Sequence, residues 1–353
     1  MAAATLLAGG CQIRRQAAPV GVGLLGVREV ARVTDRAALS PIAWSPDGRR
    51  FAYGGRDGVW MHRLGDSVGT KITGGEVVTA VAWSAAADAL AVVDRGVLWT
   101  MRPDGSARRR IGVPGVASQP VWAPGGDRLA VVVQPERQSG SPRASTQIWW
   151  TSPDGGILRQ ILSEKWNPGA KRVVALGWFP DTLYLFVGLA APDAEATSEW
   201  WRVRIAYPDF LRLTDPPRPA LDPMLSPTGE WIAYVVANGT GEQAYAIRSD
   251  GSGLHPISPK ARRLSGVAWS PHGDKVAYGV LIDETQAEIF VAASAVAALS
   301  GAPSRLVATY RLEFPDPSAG LSLVWAPDEA HLAYGTNTGV LAGPVWLVRF
   351  APR

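Results

Sequence analysis

The stretch from Ile42 to Tyr53, Ile-Ala-Trp-Ser-Pro-Asp-Gly-Arg-Arg-Phe-Ala-Tyr, recurs in altered form along the chain, and this recurrence limits the fold more than any other feature. Ile42 and Trp44 alternate with Ala43 at the period of two that a strand requires. Ser45-Pro46-Asp47-Gly48 supplies a tight turn, with Pro setting φ, Asp able to bond its own backbone and Gly free to take positive φ. Phe51-Ala52-Tyr53 reads as the returning strand. A lone hairpin is barely stable in water, so one copy would say little. The copies are anchored at Trp44, Trp83, Trp122, Trp178, Leu225, Trp269 and Trp325, with steps of 39, 39, 56, 47, 44 and 56 residues. That spacing suits one four-stranded propeller blade per copy.

Each copy has a second half. A third strand rich in β-formers follows the hairpin, as in Val59-Trp60-Met61, Val97-Leu98-Trp99 and Val345-Trp346-Leu347-Val348. A short fourth strand follows, as in Lys71-Ile72-Thr73, Arg109-Arg110-Ile111 and Leu211-Arg212-Leu213-Thr214. No stretch sustains a helical period. The expected class is all-β: a seven-bladed β-propeller of four-stranded blades over residues 26–353. The seventh copy ends on its third strand, Val345 to Phe350. Glu29-Val30-Ala31-Arg32-Val33-Thr34-Asp35 matches a fourth strand in type and is expected to complete that blade, because a ring of sheets must leave no open edge.

Residues 1–11, ending Leu-Leu-Ala-Gly-Gly-Cys11, are small and apolar and too short to span a bilayer. They resemble the end of a bacterial lipoprotein signal peptide, in which the final Cys becomes lipidated. Leu7 stands four residues before Cys11 rather than three, and an unstructured leader is the alternative. On this reading residues 12–25 form a flexible tether, the propeller is exported, and it is held at the cell envelope through Cys11. Cys11 is the only cysteine, so the repeats contain no disulfide, thiolate metal cluster or cysteine nucleophile. Fifteen Trp fit packing between large flat sheets. A net charge of +4 is weak, and Arg108-Arg109-Arg110 falls on an expected outer strand, where charge guards an edge. Nucleic acid is therefore not an expected partner.

No His-Glu-x-x-His and no phosphate-binding Gly-x-x-x-x-Gly-Lys-Ser/Thr motif appears. His62, His255, His272 and His331 fall in different copies, and His272 and His331 read as solvated hairpin positions rather than metal ligands. Asp47, Asp104, Asp154 and Asp328 read as turn residues bonding local backbone rather than calcium ligands. No cofactor or metal is expected.

In a four-stranded blade the first-to-second and third-to-fourth connections share one side of the disc, and here they are tight turns. The other side takes the longer inserts, including 134–146, 188–198 and 281–286, and is the expected working face. Three residues before the anchors, Gln119, Asp222 and Ser322 are candidates for a polar channel mouth. Asp193, Glu195, Asp283 and Glu284 are candidate acidic contacts for a partner on that face.

The repeated Trp-Ser-Pro-Asp-Gly followed by an apolar-Ala-Tyr strand resembles the Pro-Asp-Gly propeller repeats of the TolB-like family, which are similar to WD40-like repeats without the Trp-Asp dipeptide. The resemblance covers residues 26 to 353. It implies an extracytoplasmic propeller serving as an interaction platform. The expected function is a non-enzymatic scaffold that binds a protein or peptide through the long-loop face. The alternative is a propeller hydrolase or lyase with its site in the central channel.

Overall fold

The computed structural model describes residues 26–34, 36–136, 146–163, 171–192, 194, 197–206, 209–213, 220–237, 239–283, 285–293, 305–311, 321–336 and 343–351. Seven antiparallel units of four strands follow one another, and among the described residues no helix forms. The first blade runs from Ala43–Trp44 to Thr70–Gly74, the second from Val78–Trp83 to Arg109–Ile111, and the third from Val116–Trp122 to Leu158–Leu162. The fourth runs from Arg172–Trp178 to Phe210–Arg212, the fifth from Ala220–Leu225 to His255–Pro256, and the sixth from Leu264–Trp269 to Arg305–Arg311. One pair, Thr197↔Ala220, links the fourth and fifth blades into a continuous sheet.

The seventh blade closes the ring with both ends of the fold. Its inner three strands are Leu321–Trp325, His331–Thr336 and Trp346–Phe350, and its outer strand is Val27–Arg32. The pairing is antiparallel, with Glu29↔Arg349, Val30↔Val348, Ala31↔Leu347 and Arg32↔Trp346. Beyond it, the Val33 N–H donates to the Val345 carbonyl (2.9 Å), and Thr34 Oγ1 accepts from the Val345 N–H (2.8 Å).

The anchor tryptophans do two jobs. Each packs in one cluster with the second-strand alanine of the blade before it: Trp44 with Ala333, Trp83 with Ala52, Trp122 with Ala91, Trp178 with Ala130, Trp269 with Ala233 and Trp325 with Ala277. The small residue makes room for the indole, which is why the motif reads apolar-Ala-Tyr. Five of these indoles also donate to the carbonyl of the residue preceding the previous blade's anchor. The bonds are Trp44 to Val324 (3.4 Å), Trp122 to Ala82 (3.1 Å), Trp178 to Val121 (3.0 Å), Trp269 to Met224 (3.1 Å) and Trp325 to Ala268 (3.2 Å). Large apolar area and a satisfied N–H are thus combined at every such junction. Trp83 packs alike but leaves its buried Nε1 unpartnered.

The fourth copy departs from the sequence reading. Leu183-Tyr184-Leu185 was the expected second strand, but Leu183 is exposed in the turn and the strand is Tyr184–Ala190. Phe186, paired with Gly177, occupies the alanine position. It faces Leu225, the one anchor that is not Trp. A large residue on one blade and a smaller one on the next exchange roles, conserving volume at the junction.

The turns hold by their own side chains. Ser45, Ser226 and Ser270 are buried and accept the N–H of Arg50, Trp231 and Lys275 across the hairpin (2.9–3.1 Å). Asp47, Asp104, Asp154 and Asp328 accept backbone N–H groups two residues on, as expected of turn aspartates. Gly229, at φ 74°, rests against Pro180 of the previous blade's turn, where a Cβ would come within 2.8 Å of Pro180 Cδ. Only glycine meets both demands.

Candidate channel-mouth site

Five inner strands carry a β-bulge just before the anchor, between Val78 and Ala80, Ser118 and Val121, Val173 and Ala175, Leu221 and Met224, and Ser265 and Val267. A bulge bends the strand and re-aims the extra residue. In the third and fifth blades that residue is Gln119 and Asp222, both exposed, both at φ 48°, and each followed by a buried proline. A residue before proline is sterically pushed toward extended backbone, so a left-handed non-glycine there is strained. Among the described residues the other non-glycine positions of positive φ, Arg95, Ala107, Thr182 and Glu329, all lie in tight turns. The sixth blade uses Gly266 (φ 72°) at this position, where the Leu321 backbone comes close.

The structure therefore puts Gln119 and Asp222 in matching positions on the inner strands of the third and fifth blades, separated by the fourth blade. Ser322 lies on the inner strand of the seventh blade in a different backbone setting. That strand has no bulge, and Ser322 lines an open cleft with Ser40, Pro41 and Tyr334 at the seam of the seventh and first blades. Asp283 is exposed, and its Oδ1 accepts from the N–H and Oγ1 of Thr285 (2.7 and 2.8 Å), bonds that hold its carboxyl below the usual value. Cys11, Asp193, Glu195 and Glu284 lie outside the described residues.

A group that sequence reasoning missed lies on the same face. Lys171, leading into the fourth blade, pairs with Glu199 (2.5 Å), whose other oxygen accepts from Trp201 Nε1 (3.1 Å). Burial disfavours the Glu199 carboxylate, but the bonds from Lys171 and Trp201 outweigh it and lower its pKa. Neither residue belongs to a repeated motif, so no spacing signal marked them.

The histidines all lie off the inner strands. His62 is buried and stacked on Phe51 (5.5 Å), and His255 contacts its own turn at the Gly253 carbonyl. His272 is solvated, as expected, and meets Glu329 (2.8 Å). His331 differs from expectation: its side chain is 13% exposed, near Trp44 and bonded to Asp328 (3.1 Å). Among the described residues no three His, Cys, Asp or Glu side chains gather as a metal would require.

No family model and no curated protein sequence matches the chain. Solved structures do match its fold. An oligogalacturonate lyase in complex with manganese is similar at 13% identity and TM-score 0.67, over 96% of this chain and 98% of that one. The oligogalacturonate lyase of Vibrio parahaemolyticus aligns at 11% identity and TM-score 0.68, over 91% and 93%. A putative TolB from Agrobacterium tumefaciens aligns at 18% identity and TM-score 0.52, over 81% and 94%. At such identities the likeness concerns the propeller architecture, which hosts unrelated activities. The manganese belongs to the first of these proteins, and the described donor set here does not fit such an ion.

Proposed function

We propose that this chain is a non-enzymatic, envelope-associated scaffold that binds a protein or peptide at the channel mouth of its long-loop face, tethered by lipid on Cys11. The observation that carries the reading is the strained, exposed pair Gln119 and Asp222. Strain that a rigid scaffold holds at one position on two blades is a feature of sites kept for contact rather than for stability. An amide and a carboxylate on either side of one blade suit the hydrogen-bonding groups of an extended peptide with a cationic side chain. The test is affinity capture from membranes with the intact protein and the Gln119→Ala/Asp222→Ala variant. A partner retained equally by both would refute the mouth as the site. Fractionation of Cys11→Ala tests the tether, and a variant still found with membranes would exclude it.

A second reading, a lyase or hydrolase acting in the channel, is favoured by the end-to-end likeness to oligogalacturonate lyases. The scatter of the histidines weighs against it. Turnover of acidic oligosaccharides, lost on Asp222→Ala, would support it over the scaffold.

A further inference from the structure

The perimeter of the disc carries a charge asymmetry that the channel mouth does not use. On the outer strands of five consecutive blades, the seventh and the first to fourth, Arg28, Arg32, Lys71, Arg109, Arg110, Arg159 and Arg212 are all exposed. Those strands hold a single acidic residue, Glu29, although the chain as a whole is nearly balanced at 35 basic and 31 acidic residues. Arg28, Arg110 and Arg159 form no ion pair among the described residues, so their charge faces solvent. Outer strands are protected by scattered charge in many sheets, but protection needs neither one sign nor a continuous arc.

Just inside the rim, every third strand carries an aromatic residue at one matching position: Trp60, Trp99, Trp149, Trp201, Tyr245, Phe290 and Trp346. Where the cations lie, several of these rings are already covered. Arg36 sits over Trp60 (4.2 Å), Arg108 over Trp99 (4.2 Å) and Arg212 over Trp201 (5.9 Å). A nucleic acid base needs an open ring face to stack on, and these faces are occupied. A planar bilayer could touch only a small part of a curved five-blade arc.

We propose that this arc is a second binding surface, for a flexible non-nucleic polyanion bearing repeated carboxylate or phosphate groups. Such a chain can follow the perimeter and meet one cation after another, with counterion release as the driving term. The test uses the full-length protein and fluorescence anisotropy with labelled alginate and labelled inorganic polyphosphate across a salt series. Binding to either is expected, weakening steadily with salt, and the preferred one identifies carboxylate or phosphate as the recognised group. Arg28→Gln/Arg110→Gln/Arg159→Gln removes charge without breaking a packed contact and should weaken binding about tenfold or more, with a shallower salt slope. Arg49→Gln/Arg63→Gln/Arg262→Gln removes the same charge elsewhere and should stay within about twofold. Equal losses in the two variants, no binding of either polymer, or tighter binding to single-stranded DNA or to anionic vesicles would each overturn the proposal. Self-association of the first variant, with no polymer bound by the parent, would assign the cations to edge protection alone.

Discussion

At single positions the junction between the fourth and fifth blades is the most informative, because two departures from the repeat compensate each other. Phe186→Ala should cost about 3–5 kcal/mol by opening a cavity beside Leu225. Adding Leu225→Trp should recover most of that loss, since it restores the pairing used at the other six junctions and brings an indole N–H toward the Gly177 carbonyl. Urea denaturation of both single variants and the double variant gives the coupling, and additive losses would show that the two sites do not share a junction. The indole bonds predict a second contrast. Trp122→Phe leaves the half-buried Ala82 carbonyl one donor short and should cost about 1 kcal/mol more than Trp83→Phe, whose Nε1 bonds nothing. At the channel mouth, Asp222→Gly relieves a left-handed non-glycine and should leave thermal stability unchanged or raise it by up to about 1 kcal/mol, while removing the proposed contact.

Among elements, the turns of the sixth and seventh blades are joined by charge. Lys275, its side chain 8% exposed, donates to Asp274 (2.5 Å) and to Glu329 of the next blade (2.6 Å), and Glu329 also accepts the His272 N–H. Burial works against ionised Glu329, yet the bonds from Lys275 and His272 prevail and lower its pKa from 4.5. A depressed carboxylate stabilises the fold above its unfolded value and loses that contribution as pH falls through the folded one. Glu329→Gln should therefore cost about 2 kcal/mol at pH 7, where Lys275 keeps Asp274 but loses its second carboxylate partner. The difference from the parent should shrink below about pH 4.5, as urea midpoints at the two pH values will reveal. Strand positions were readable from the alternation of apolar residues and the Pro-Asp-Gly turns. The bulges were not: Gln119-Pro120 and Asp222-Pro223 look like ordinary strand beginnings until pairing partners fix which residue is extra. The fourth blade misled for a similar reason, since Tyr184 imitates the alanine position and only cross-strand register reveals Phe186.

Across the whole molecule, ring closure is the feature on which the other junctions depend. Its sequence signal was an unclaimed segment upstream of the first copy that matches a fourth strand in type, and the register Glu29↔Arg349 to Arg32↔Trp346 realises that match. The channel mouth was less legible, because Gln119, Asp222 and Ser322 share a sequence offset but not a backbone conformation. Removing Val27–Arg32 should expose the Trp346–Phe350 edge and promote self-association beyond that of the parent, measurable by light scattering. Gly26 and Ala351 are hydrogen-bonded neighbours, 2.6 Å from N–H to carbonyl. With residues 1–25 and 352–353 removed, a short linker joining them would make the backbone endless. The molecule could then be cut open at another solvent-facing reversal, such as the one between Asp104 and Gly105, and still assemble. For this architecture, where translation starts is a matter of convenience, and a circular permutant would keep its shape.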